Sequence, residues 1–448
     1  MLAKLKWFKF GVLACVFCSV LIFQSYFVER NEFITYFINY SVLFALFIWF
    51  IANYEFKTIV RLSLLAHFLL FYVTPELSND FYRFLWDGEL INMGINPYQF
   101  QPHEIIHQVQ FQSDYFQELY RGMGELSNNA YSPYPVFNQF FFTLSTYFSD
   151  SILVNVICMR IIILIGEILL FIYALKLLEL LKKNKRWILL FVLNPFVLLE
   201  FTANLHFEIW MLAFFLISFY YLTKGKLIIA SFFSAISIQT KLITLLFYPF
   251  YWRSTKKKTS ILFYFLSGVF SILITLLLFN SSLLIHFFST IQLYFNKFEF
   301  NAGPYFVIRE IAYQFRGYNE IAIIGKLMSI CIFGLILFLA LRKKMNLISS
   351  SFFNKLFSAL MIYLIFSTTV HPWYILTPFV LSIFAGNFVG LLWTYLIALS
   401  YYFYANDYTT STYVLIAIEW VGIIGFWCFS SKNKEINTYI LKQLNLED

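Results

Sequence analysis

The chain has 448 residues, of which 60% are hydrophobic, 22% aromatic and only 12% charged. A soluble domain carries about 25% charged residues, so a water-exposed surface of this size cannot be built; a soluble enzyme, a disordered chain and a nucleic-acid-binding module are excluded. The net charge of +8 reads instead as the sidedness of Lys and Arg about a membrane.

A membrane-spanning helix needs about 20 apolar residues. Runs of that kind fall at 7–28, 33–54, 152–180, 187–205, 259–279, 321–341, 388–405 and 412–430, with shorter ones at 58–73, 208–222, 352–369 and 373–386. The first follows Lys4, Lys6 and Lys9 and continues to Val28 without a small-residue cleavage site, so it reads as a retained anchor. The five cysteines (Cys15, Cys18, Cys158, Cys331 and Cys428) lie within apolar runs and read as small buried hydrophobes. Arg160 and Glu167 share one face of a span and read as a buried polar network. The run 227–252 is interrupted by Gln239, Thr240 and Lys241, so it is either one broken helix or a hairpin of two half-helices.

Basic residues decide between those alternatives. Clusters fall at Lys57/Arg61, Lys182/Lys183/Lys185/Arg186, Lys224/Lys226, Arg253/Lys256/Lys257/Lys258, Arg342/Lys343/Lys344 and Lys432/Lys434. With the N-terminus inside, every cluster stays on the cytoplasmic side only if 227–252 enters and returns. A hairpin is expected, and non-helical backbone at that depth must be lined by protein or a wet cavity. The same threading places 75–150, 206–208, 280–320, 371–373 and 406–410 outside, together with every dense polar motif.

Segment 75–150 holds five of the ten prolines, which break helices and fix turns, and the run Phe111–Leu126 reads as an amphipathic helix on the membrane surface. Its first motif runs from Ser78 to Glu89, where Ser78 or Asn79 can cap a helix and Gly88 can end it. Asp80, Arg83 and Asp87 then share one face, as a surface ion-pair ladder or as site residues. Asp80 and Asp87 are about 10 Å apart along such a helix, which favours a single general base over a carboxylate pair. Gly94-Ile95-Asn96-Pro97-Tyr98 and Tyr131-Ser132-Pro133-Tyr134-Pro135 read as stiff turns, with Tyr131 able to stack on a sugar. Asn194 to Glu208 brings His206 and Glu208 to an outer boundary. Lys241 sits at membrane depth, where an ionisable group is a functional candidate and an ammonium suits a phosphate. Phe300 to Tyr305, followed by Arg309 and Glu310, and His371-Pro372-Trp373-Tyr374 complete the set. No His or Cys spacing supplies a metal-ligand set, and no metal or cofactor is expected.

These stretches resemble the GT-C superfamily of integral-membrane glycosyltransferases, most closely bacterial polyprenyl-phosphate-mannose-dependent α-mannosyltransferases. The signatures are SNDFYRFLWDGELINMGINPYQFQP at 78–102, LNPFVLLEFTANLHFE at 193–208, the Lys241 helix, FNAGPYF at 300–306 and HPWY at 371–374. The resemblance implies one all-α polytopic domain over 1–448, a GT-C-like bundle of about 12–14 spanning segments with external amphipathic loop helices. It implies an enzyme of the bacterial inner membrane with its site facing the periplasm, which passes one sugar, mannose by resemblance, from a polyprenyl-phosphate donor to a lipid- or glycan-linked acceptor, inverting. Asp80 matches the acidic residue of the family's first large external loop and would be the general base. Arg83, Asp87, Tyr131, His206, Glu208, Lys241, Asn301, Tyr305, Arg309, His371 and Trp373 would contact substrate. The alternatives are a lipid-linked glycan translocase and a repeat-unit polymerase. The Tyr-Ser-Pro-Tyr-Pro stretch departs from the adjacent prolines of relatives, and Asp80 and Asp87 do not form the Asp-x-Asp of the enzyme that adds the first mannose of GPI anchors, which the chain resembles more faintly.

Overall fold

The computed structural model describes residues 2–279, 281–406 and 408–447. Among them the regular structure is helical, apart from one isolated parallel bridge between Phe300 and Thr369. Six helices are long and apolar enough to cross a membrane: Lys4–Phe27, Phe33–Asn53, Ile152–Leu180, Lys257–Thr275, Ile321–Arg342 and Thr410–Lys432. Lys185–Val192 and Pro195–Ala203 form a further span bent by 47°. The protein is therefore an all-α polytopic membrane protein. A count of twelve or more segments is reached only by including shorter apolar helices, among them Glu208–Thr223, Leu227–Thr240, Ser350–Ile365 and Pro372–Ala385. Their shortness has a physical reason: Glu208–Thr223 is buried along most of its length, so protein rather than lipid satisfies it and the bilayer does not set its length.

The chain does reverse within 227–252. Helix Leu227–Thr240 stops at Lys241, whose backbone is extended (φ −156°, ψ 126°), and Leu242–Phe247 and Tyr248–Ser254 run back. Ser234 and Tyr248, each seven residues from Lys241, meet hydroxyl to hydroxyl at 2.7 Å. At the turn, Gln239 Nε2 donates to Thr275 Oγ1 at 2.8 Å, which sets Lys241 level with the end of helix Lys257–Thr275.

The two ends of the bundle differ. At one, Arg186 donates to the carbonyls of Ile51 and Tyr54, Tyr54 donates to the carbonyl of Lys6, and Lys355 caps the carbonyls of Leu339 and Lys343. The other end gathers the polar motifs. There Arg160 spends its guanidinium on four carbonyls, those of Phe71, Val73, Thr202 and Ala203, at 2.5–3.1 Å. Glu167 accepts from Thr202 Oγ1 at 2.9 Å and pairs with His67 at 2.8 Å.

The segment between helix Phe56–Leu69 and the span Ile152–Leu180 folds around helix Asp80–Asn92. That helix continues through Gly88 rather than ending there: Gly88 lies against helix Val136–Thr146, where a Cβ would stand 2.4 Å from the Phe142 carbonyl oxygen. The amphipathic helix, Asp114–Asn128, differs from the expected surface element. Leu119 and Met123 are buried and Phe116 packs edge-on against Trp86, with ring centroids 5.8 Å apart, so its apolar side is covered by protein instead of lipid. Tyr115 donates to Glu89 and accepts from Asn155 at 2.8 and 2.9 Å, tying the loop to the next span.

Arg83 and Asp87, expected on a surface ladder or in contact with substrate, form a buried brace. Arg83 Nε donates to Asp87 Oδ1 at 2.8 Å, and Nη1 donates to the carbonyls of Ser127 and Ala130. Asp87 Oδ2 accepts from Ser132 Oγ and from Gln139 Nε2, with the two acidic and basic side chains 0% and 2% exposed. One pair thus fixes the Tyr131–Pro135 turn onto the helix that begins at Asp80. Removing one partner of a buried pair costs about 3–5 kcal/mol. Asp87→Ala is therefore expected to lose about that much stability, with Asp87→Asn losing less, in thermal unfolding of the detergent-purified protein; an unchanged transition in Asp87→Ala would show that the brace carries no load.

Candidate active site

The site is assembled from four segments far apart in sequence. Pro195–Ala203 ends in a π-helical turn, Leu198–Ala203, and the next turn places the wholly buried Leu205 at φ 64°. Such wide turns and left-handed non-glycine residues are costly and cluster at functional sites. Asn204 holds the neighbouring segment, because its Oδ1 accepts from the Leu77 amide at 2.8 Å. Asp80 follows three residues later at the start of its helix, with its amide donating to Ser78 Oγ at 3.2 Å.

A second junction comes from the bridge at Phe300. Its amide donates to the Thr368 carbonyl at 3.1 Å, and its carbonyl accepts from the Val370 amide at 2.8 Å, so His371 directly follows the bridged residues. Asn301 (φ 48°) is held from beneath: its Nδ2 donates to both carboxylate oxygens of Glu419, at 3.0 and 3.2 Å, and Trp393 Nε1 donates to the same carboxylate at 2.9 Å.

The two junctions meet in a column of rings. His206 stacks on Trp373 (3.9 Å, 19°), Trp373 on His371 (4.5 Å, 3°) and His371 on Phe300 (4.8 Å, 23°). Trp373 and His371 are stacked on both sides and offer edges rather than faces to a ligand, while His206, at the end of the column, has one face on Trp373. Burial, with Lys241 nearby, pushes the His371 imidazole down to about 3; burial, Lys241 and His371 do the same in direction to His206. Both shifts favour the neutral imidazole. His371 Nδ1 and His206 Nε2 are buried and have no hydrogen-bond partner among the described residues, nor has Glu200 Oε2, which stands 3.9 Å from His206 Nε2. Glu200 Oε1 accepts from Tyr401 at 2.6 Å. Buried polar atoms left open in this way call for a ligand or water.

Lys241, at the tip of the hairpin, forms an ion pair with Glu208, the first residue of helix Glu208–Thr223, and its ammonium lies 4.3 Å from the Tyr374 ring centroid. Asp80 completes the cluster. Among the described residues no side chain donates to its carboxylate and no cation stands within ion-pair distance. Burial first, and then the charge of Glu208, raises its carboxyl from 3.8 to about 6, against the opposing pull of Lys241 and Arg30.

Asp80, His206, Glu208, Lys241, His371 and Trp373 therefore belong to one linked constellation of contacts and charges. The other sequence-predicted residues do not make these contacts. Arg83 and Asp87 form the brace. Tyr131 stacks on His286 at 4.0 Å, Asn301 holds Glu419, and Tyr305 and Arg309 both bind Glu299, at 2.5 and 2.6 Å. Sequence reasoning did not select Glu200, Tyr374 or Arg30. The first two stand inside motifs already marked, whereas Arg30 lies in the short turn between the first two spans and carries no pattern. An apolar cavity of ≈ 730 Å³ opens between the hairpin and helices Lys257–Thr275 and Ile321–Arg342, lined by Leu245, Trp252, Tyr264, Ile272 and Leu337 among others. None of the constellation lines it.

Residues 32–255 match the family described as alpha-(1->6)-mannopyranosyltransferase, N-terminal domain. No curated protein and no solved structure matches the chain.

The raised Asp80 carboxyl has a stability consequence. A group whose folded value lies above its unfolded one favours the folded state when protonated, so stability falls as pH rises from about 4 toward and beyond 6. Asp80→Asn, which cannot ionise, is expected to melt higher than the wild type at pH 8 and to converge with it below about pH 4. A constant difference across that range would mean that Asp80 ionises as it does in water.

Proposed function

This chain belongs to the alpha-(1->6)-mannopyranosyltransferase family, and on that premise we propose that it transfers one mannosyl group from a polyprenyl-phosphate donor to the hydroxyl of a lipid- or glycan-linked acceptor, at the outer face of the membrane. The family is one of glycosyltransferases, so the chain is a membrane-embedded enzyme of sugar transfer; the donor, the stereochemistry, the base and the sidedness are our reading. One observation carries it. Of the acidic side chains in the constellation, Glu208 is paired with Lys241 and Glu200 accepts from Tyr401, while Asp80 alone has neither kind of partner among the described residues.

A carboxylate that is not consumed by a protein partner, and whose proton affinity is raised by burial, suits a general base near neutral pH. In the proposed step the acceptor oxygen attacks the anomeric carbon as its proton passes to Asp80. The carbon–oxygen bond to phosphate breaks, and the phosphate leaves with the bonding pair. A phosphate needs no protein acid when its charge is met by a cation, a role for which Lys241 is placed beside Glu208. Attack opposite the leaving group inverts the configuration, so a β-linked donor gives an α-linked product. The open edges of His206 and His371 suit sugar hydroxyls. The apolar cavity beside the hairpin is compatible with a donor carried on a long hydrocarbon tail. Positive-inside threading of the basic clusters supports the outer face.

The test is transfer of radiolabelled mannose from polyprenyl-phosphate mannose by purified protein. Loss of a general base lowers rates by about 10²–10⁴-fold, so Asp80→Asn is expected to fall in that range. The wild-type rate is expected to decline as pH drops through about 6, since the base must be ionised. Wild-type turnover by Asp80→Asn would remove Asp80 from the chemistry. Growth of the product in blocks, seen by mass spectrometry, would point to a polymerase instead.

A further inference from the structure

We propose that Arg30, in the turn joining helices Leu2–Phe27 and Phe33–Asn53, is a phosphate-binding residue of this site: its guanidinium takes the phosphate anion of the lipid-linked donor and holds it as the product lipid phosphate after transfer. The inference rests on the donor reading above and adds a residue to it that no motif marks.

The geometry begins with the turn itself. Glu32 donates its amide to the Glu29 carbonyl at 3.0 Å, closing the turn, and Phe33 packs edge-on against Tyr402 at 5.1 Å. This brings the Arg30 guanidinium over the Tyr404 ring, 5.2 Å from its centroid. Tyr404 in turn contacts Phe300 at 5.2 Å and Tyr401 at 5.6 Å. Phe300 ends the ring column that runs to His206, and Tyr401 donates to Glu200. Arg30 is thus one ring removed from both junctions of the site. It is also close enough to Asp80 for its charge to favour the ionised carboxylate.

Charge then separates Arg30 from the other cations. Lys241 is held by Glu208, and Arg309 by Glu299. Arg160 is spent on four carbonyls and Arg83 on Asp87. Arg30 is half-buried, and among the described residues it forms neither an ion pair nor a hydrogen bond. A guanidinium resting on an aromatic face keeps its edge of N–H donors available, and that planar fork matches two oxygens of a phosphate. Its position adds a second argument. Basic residues are disfavoured in loops on the outer side, and Arg30 is at the end of the bundle that carries Asp80, so sidedness does not account for it.

The experiment is equilibrium binding of undecaprenyl phosphate, without sugar or acceptor, to the full-length protein in nanodiscs. Wild type, Arg30→Ala and Arg30→Lys are compared, and a thermal melt of each confirms that it is folded. The expected result is a Kd about 10–100-fold higher for Arg30→Ala, with a smaller loss for Arg30→Lys, in line with the loss of a charge-assisted hydrogen-bonded contact. Millimolar inorganic phosphate is expected to compete more strongly for wild type than for Arg30→Ala, in which Lys241 is left to meet the anion. Equal affinity in Arg30→Ala and wild type, or equal competition in both, overturns the assignment while leaving the donor reading in place. Failure of the folded wild type to bind the lipid phosphate overturns the donor reading, and the role of Arg30 with it.

Discussion

A guanidinium withdrawn from water among packed helices costs several kcal/mol unless its donors find acceptors, and Arg160 meets that demand with four carbonyls from two chain segments. The same requirement organises every polar feature of this chain. Its few charged residues cannot be scattered through an apolar bundle, so each buried one is recruited as a fastening. Arg83 and Asp87 fasten the external loop, Glu419 fastens Asn301, and Glu167 fastens His67 and Thr202. Against that background an unfastened charge stands out. Among the described residues Asp80 and Arg30 are two such groups, near enough for the charge of Arg30 to act on the carboxylate.

The fastenings also explain how a bundle with many short helices can present a site at all. A helix of full bilayer length leaves no room for backbone irregularity, because lipid cannot satisfy an exposed carbonyl or amide. Here the irregular pieces are the π-helical turn at Leu198–Ala203, the extended Lys241 and the bridge at Phe300. Each is held by side chains of a neighbouring helix: Arg160 and Glu167 hold the first, Thr275 holds the turn at the second, and Glu419 holds the third. Each also delivers a side chain, or a ring, to the constellation: His206 and Glu208 from the first, Lys241 from the second, His371 and Trp373 from the third. Irregular backbone and chemistry coincide because both need the same shelter from lipid.

The spans were legible in the sequence because their signal is local: an uninterrupted apolar run has the length that the bilayer requires. The run expected at 152–180 coincides with helix Ile152–Leu180, and the return at Lys241 followed from counting basic residues. The pairing of Arg83 with Asp87 was also legible, as an i,i+4 contact. Its burial was not, since Ser127, Ser132 and Gln139, which close over the pair, bond to it across 44–52 residues of chain. Asn301, Tyr305 and Arg309 have partners that were not legible, for the complementary reason. Their motif is rich in polar groups, but those groups bind Glu419 and Glu299 rather than one another's neighbours in the site. Arg30 was invisible because what distinguishes it is the absence of a partner, and absence has no sequence pattern.

The balance of charges around Asp80 has one further implication. Burial and Glu208 raise its proton affinity, and Lys241 and Arg30 lower it. On the proposed reading a donor phosphate binds to those same two cations, and its negative charge cancels part of their pull on the carboxylate. Lys241, shared between Glu208 and the phosphate, then screens Glu208 less, which acts in the same direction. Both effects make Asp80 a stronger base when the donor is in place than when the site is empty. Proton abstraction from the acceptor is thereby favoured only when a sugar is present to receive the oxygen, and the empty enzyme keeps a weaker carboxylate that is less prone to be protonated at neutral pH. The same few charges would thus hold the donor and set the timing of the base, with no moving part required.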